Sequence, residues 1–130
     1  MIAACQFRYV NNNITEANFP LTGPVADVES MLTLTQKDLG GQNMTTAEIE
    51  AAIDRLGYRS AILAEQLAYA KAKWNGKGRI VAFGSSWFHP VGERAVPYMS
   101  EDGGGRELSL YWGLPESSWG DFYLFLVVRK

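Results

Sequence analysis

The chain has 130 residues, of which 47% are apolar and 20% charged, with a formal net charge of −2. That is globular rather than disordered composition, at the size of one ordinary domain. Residues 1–44 carry −2 (Arg8 and Lys37 against Glu16, Asp27, Glu29 and Asp38), while 45–75 and 76–130 each sum to zero; the basic footprint that duplex nucleic acid requires is therefore missing.

Residues 2–10 hold the β-formers Phe7, Tyr9 and Val10 and stop at the turn-rich Asn11-Asn12-Asn13, which predicts a strand. Ile2-Ala3-Ala4-Cys5 has the look of a lipoprotein cleavage box, but neither a basic segment nor an apolar run precedes it. Asn13-Ile14-Thr15 and Asn43-Met44-Thr45 match glycosylation sequons by pattern only. Thr22-Gly23-Pro24 reads as a helix start, with Asp27 and Glu29 in the first turns, and predicts a short helix over about 24–33. Thr33-Leu34-Thr35 suits a strand equally well.

The clearest signal follows Gly40-Gly41. Thr45 and Glu48 form a capping-box pattern, and Ile49, Ile53, Leu56, Ser60, Leu63, Leu67, Ala70 and Trp74 then recur at alternating steps of four and three. One stripe in phase predicts one amphipathic helix over 46–74. A straight helix of that length would measure about 44 Å, longer than the roughly 36 Å width of a domain this size. It must bend or break, and Gly57 is the natural place. The small Ser60 and Ala70 in the stripe favour core packing over a coiled-coil seam.

After Gly78 the chain turns short, aromatic and β-branched: 79–88, 94–99, 106–114 and 121–129 read as strands between the breaks HPVG, EDGGG and PESSWG. The predicted fold is therefore α+β: an antiparallel sheet made of a four-strand C-terminal meander plus an N-terminal strand, packed on the long helix. The lone cysteine, Cys5, excludes an intrachain disulfide, and no run reaches the roughly 18 apolar residues of a membrane span. The expectation is a soluble, cytoplasmic single domain, with neither nucleic acid nor membrane as partner.

Gly84-Ser85-Ser86-Trp87-Phe88-His89-Pro90-Val91-Gly92-Glu93-Arg94 contains the only histidine. Proline second and glycine fourth in HPVG suit a type I turn. His89 and Glu93 can meet across it as a base and its orienting carboxylate would, but Ser85 and Ser86 lie at least about 9 Å back along an extended strand. The turn reading is preferred. One histidine and one cysteine make no familiar zinc site, and neither a phosphate loop nor a paired-carboxylate motif stands out, so no metal or cofactor is expected.

Pairing the meander by its turns opposes Trp87 to Arg94, Ser85 to Val96, Phe83 to Tyr98, Tyr98 to Ser109, Val96 to Tyr111 and Glu101 to Arg106, with Leu124 beside Tyr111. Both sheet faces come out largely apolar, so both need cover. The helix covers one; residues 11–44, a second copy of the chain or a ligand must cover the other. That second face carries Ser85, Trp87, Arg94, Tyr98 and Tyr111, the aromatic walls, hydroxyls and single charge of a small-molecule pocket. Arg94 beside Trp87 can form a cation–π pair. The reading is a homodimeric, non-catalytic binding module for a small aromatic or amphipathic molecule. Its alternatives are a protein-interaction module docking through an apolar sheet face, and a small cofactor-free lyase, isomerase or hydrolase.

Overall fold

A computed structural model describes residues 2–5, 7–21, 24–90, 92–102 and 104–130. Its strands are β1 (Tyr9–Val10), β2 (Met31–Leu34), β3 (Tyr58–Ser60), β4 (Arg79–Val81), β5 (Trp87–Phe88), β6 (Arg94–Asp102), β7 (Gly105–Trp112) and β8 (Tyr123–Arg129), and its helices are α1 (Thr46–Arg55) and α2 (Leu63–Ala72). The eight strands form one sheet in the order β1-β7-β6-β4-β8-β2, with β3 added to β8 and β5 to β6. The α+β class holds, but the antiparallel sheet on a single long helix does not. The sheet is mixed, since β1 pairs with β7 and β4 with β8 in parallel.

The predicted 46–74 helix is two ten-residue helices separated by a strand. The capping box forms: Glu48 N–H donates to Thr45 Oγ1 (3.3 Å) and Thr45 N–H donates to Glu48 Oε1 (2.9 Å). Helix α1 then ends where glycine permits a left-handed turn, Gly57 having φ +87°. Three residues of β3 follow, and Ile62 is the N-cap of α2. Isoleucine offers no capping oxygen. Ser85 supplies one from a distant segment, its Oγ accepting from Leu63 N–H at 2.6 Å. At the other end, Arg106 donates to Ala70 O and Trp74 O, both at 3.2 Å, and covers the Trp74 ring at 4.8 Å. A cation there matches the helix dipole.

The stripe that looked continuous serves two cores. Ile49 and Ile53 pack with Val81, Phe83, Val96, Phe125 and Val127 on one side of the sheet. Leu63, Leu67, Ala70 and Trp74 pack with Ile80, Met99, Leu108 and Leu126 on the other. Both faces are covered, as their apolar character requires, and this chain supplies the cover. Leu39, Trp119 and α1 close the first, while α2, Ile14 and Phe19 close the second.

Other expectations are corrected in the same way. Residues 2–10 give a 3-10 turn at Ile2–Cys5 and a strand of two residues only. The predicted helix over 24–33 is a 3-10 turn at Val28–Ser30 running into β2, and the Thr22-Gly23 of its proposed start lies outside the described residues. The β6–β7 hairpin keeps the predicted register, with Val96 opposite Tyr111, Tyr98 opposite Ser109 and Glu101 opposite Arg106. Strand β8 does not continue the meander. It pairs with β4 and β2, so Leu124 lies opposite Ile80 rather than beside Tyr111. Residues 79–88 also split, β4 pairing Val81 with Tyr98 and β5 pairing Phe88 with Arg94.

The split is fixed by a close backbone approach. Gly84 N–H donates to Ala61 O at 2.8 Å, and a β-carbon on Gly84 would fall 2.5 Å from that oxygen and 2.8 Å from Ser60 O. Gly84→Ala is expected to cost on the order of 1–3 kcal/mol, because the neighbour is backbone and cannot swing aside. Urea midpoints measured beside the exposed control Ser86→Ala test this, and equal midpoints would refute the contact. No helix among the described residues is long and apolar enough to cross a membrane.

Candidate functional site

The five residues selected from sequence fall in four places. Ser85 is spent on the start of α2. Arg94 lies at the α1 side of the sheet. There its Nη1 donates to Glu50 Oε1 (2.7 Å), its Nη2 to Phe83 O (2.9 Å), and its guanidinium stands 5.9 Å from the Phe83 ring rather than on Trp87. Tyr98 and Tyr111 do come together, with ring centroids 6.5 Å apart in an edge-to-face pair. Both also contact Tyr123, at 6.1 and 5.8 Å. The nearest cation to this tyrosine group is Arg79, whose Nη1 donates to the Tyr123 hydroxyl at 3.4 Å. Trp87 is on the opposite side of the sheet.

There Trp87 joins a cluster of rings. Strand β5 places it opposite Ala95, and Ala95 is in turn opposite Trp112. Directly paired residues share a face, so the two indoles flank one small residue. Side chains two apart along a strand also share a face, which sets His89 beside Trp87. Its imidazole packs edge-on to both indoles, 5.3 Å from Trp87 at 66° and 5.9 Å from Trp112 at 78°. The loop carrying it is closed by Gly92 N–H donating to His89 O (2.6 Å), with Gly92 at φ +90°. The turn reading of HPVG thus has its closing bond, although Val91 lies outside the described residues. His89 and Glu93 meet through backbone, His89 N–H donating to Glu93 O at 2.8 Å.

These rings border a cleft of about 200 Å³, which Leu110 and Tyr111 also line and whose far lip is Asn11 and Asn13. That lip is ordered locally. Asn11 Oδ1 accepts from Asn13 N–H (2.9 Å), and Asn13 O accepts from Asn18 Nδ2 (2.9 Å). Trp112 is 41% exposed, so its indole edge is open to a ligand. Three aromatic rings, one aliphatic floor and two carboxamides form a surface suited to a flat group with a polar rim.

His89 and the asparagines escaped the sequence selection because they read as turn residues, and Trp112 because of register. The predicted register set Trp87 against Arg94, whereas Trp87 pairs with Ala95. A shift of one residue exchanges sheet faces, so Trp87 was assigned away from Trp112. A tryptophan two residues before the only histidine was the available signal. Compared with protein-family models, curated proteins and solved structures, the chain matches none.

Proposed function

We propose that the protein is a non-catalytic binding module that takes a small, flat, amphipathic molecule into the Trp87–His89–Trp112 cleft. The observation that carries this is the edge-to-face indole–imidazole–indole group around about 200 Å³ with carboxamides at the lip. Drug-sized pockets begin at roughly 300 Å³, so the ligand is small, with a single ring. The hold of Leu63 N–H on Ser85 Oγ favours binding over acyl transfer. Docking through an apolar sheet face, and a second copy recruited to cover one, both lose their motive once α1, α2, Leu39 and Trp119 provide the cover.

Titration of labelled protein with phenol, aniline and benzamide, followed by NMR, tests the reading. The indole N–H resonances of Trp87 and Trp112 and the His89 ring are expected to shift. Trp112→Ala should weaken the response at least about tenfold, an aromatic contact plus its burial being worth about 1.4 kcal/mol or more. Three compounds that leave these resonances unmoved, or that act equally on wild type and variant, would end the proposal.

A further inference from the structure

The edge of strand β7 adds something the rings alone do not. Gly113 N–H donates to Arg94 O at 2.9 Å. In an antiparallel ladder, bonded and non-bonded pairs alternate, so Tyr111, Ser109 and Glu107 face β6 with their backbone groups. Arg106, Leu108, Leu110 and Trp112 face outward. The first two are engaged there: Arg106 O accepts from Arg8 N–H (2.7 Å) and Leu108 O from Asn11 N–H (2.9 Å). Ile14 N–H then donates to Asn11 O (3.0 Å), and the chain turns away from the edge. The row of outward groups continues through Leu110 and Trp112 with no hydrogen bond to a described residue. This open stretch lies under the cleft, between the Asn11–Asn13 lip and the rings.

We infer that the ligand of the cleft is an aromatic amino-acid amide or the equivalent unit of a short peptide, held by its own N–H and C=O on the open edge of β7 at Leu110. This rests on the cleft being the binding site. A unit pairing antiparallel with Leu110 exchanges two N–H···O bonds with that one residue. Its side chain then stands on the face of Leu110, which is the face of Trp112, Ala95 and Trp87. One aromatic side chain is what about 200 Å³ admits. The opposite, parallel pairing sets a single bridging residue in line with Tyr111 and directs its side chain to the other face, so orientation is selected as well. Strand edges recognise extended peptides in this way, main chain giving affinity and a side-chain pocket giving choice.

Three probes decide it: N-acetyl-L-phenylalanine amide, the same compound N-methylated at the phenylalanine nitrogen, and benzyl alcohol, which keeps the ring alone. The first is expected to bind at least tenfold more tightly than the other two and to shift the Leu110 amide proton downfield. Equal binding of all three at the Trp87 and Trp112 indoles would overturn the amide assignment while leaving the cleft reading intact. Binding of none of the three, together with silence of the single-ring panel, would remove the cleft reading and this inference with it.

Discussion

Replacing Trp119 with alanine is expected to cost about 3–5 kcal/mol, a large share of the roughly 5–15 kcal/mol that holds a domain folded. Trp119 lies in the connection between β7 and β8, yet it is 1% exposed. Its ring meets Phe83 at 5.2 Å, Tyr111 at 5.1 Å, Tyr123 at 4.9 Å and Phe125 at 6.0 Å, and its indole N–H donates to Thr46 Oγ1 at 2.7 Å. The same connection anchors the start of α1, with Thr46 N–H donating to Ser117 O (2.9 Å) and Trp119 N–H to Met44 O (3.1 Å). The substitution therefore leaves a void and also loosens a helix. Urea unfolding followed by far-UV circular dichroism measures the loss. Thr46→Val, which strands the buried indole N–H, should cost a smaller 1–3 kcal/mol or so. A Trp119→Ala protein within about 1 kcal/mol of wild type would mean that the connection is no part of the core.

The second large effect belongs to the pair Arg59–Glu65. The Glu65 side chain is fully buried and Arg59 is 40% exposed. Both carboxylate oxygens are used twice: Oε1 accepts from Arg59 Nη1 (2.8 Å) and Ile62 N–H (3.0 Å), Oε2 from Arg59 Nη2 (2.6 Å) and Ala26 N–H (2.8 Å). Glu65 thus ties β3, the start of α2 and the segment around Ala26 together. Burial is the largest single influence on its carboxyl and pushes it up. The hydrogen bonds from Arg59, Ile62 and Ala26, with the charge of Arg59, outweigh burial and hold the carboxyl below its ordinary value. Arg59→Ala leaves a buried carboxylate with backbone partners only and is expected to cost about 3–5 kcal/mol at neutral pH.

The pH dependence of that cost follows from the direction of the shift. A native carboxyl held lower than the unfolded value of about 4.3 means that the unfolded state binds more protons. The contribution is complete above that pH and is lost as pH falls through the native value. Urea midpoints of wild type and Arg59→Ala should therefore lie far apart at neutral pH and converge in acid. Curves that stay parallel across the range would show that the pair does not carry the difference. The double variant Arg59→Leu with Glu65→Leu should recover part of the loss, because no charge is then left buried.

Wherever neighbours in sequence decide the outcome, the residues announce it. Thr45 and Glu48 close their capping box, Gly57 interrupts the helix with φ +87°, and the β6–β7 hairpin takes the register its turn imposes, Glu101 opposite Arg106. The stripe from Ile49 to Trp74 was legible as burial but not as one helix. Period alone does not say which core each half enters, and α1 and α2 face opposite sides of the sheet. The candidate site was half legible. Trp87 was selected, and its partner Trp112 was lost to a register offset of one residue set at the turn, where His89 N–H donates to Glu93 O and so brings Phe88 opposite Arg94.

By itself the sequence determined the α+β class, the caps and breaks, the hairpin, and the requirement that both sheet faces be covered. Tertiary structure alone decided that β8 leaves the meander to pair with β4 and β2, that Trp119 and α1 provide the cover expected from elsewhere, and that Trp87, His89 and Trp112 share a face. The physical reason is range. Caps and tight turns are settled by hydrogen bonds within a few residues, whereas strand partners and shared faces depend on which distant apolar surfaces bury one another, and a single residue of offset reverses the result.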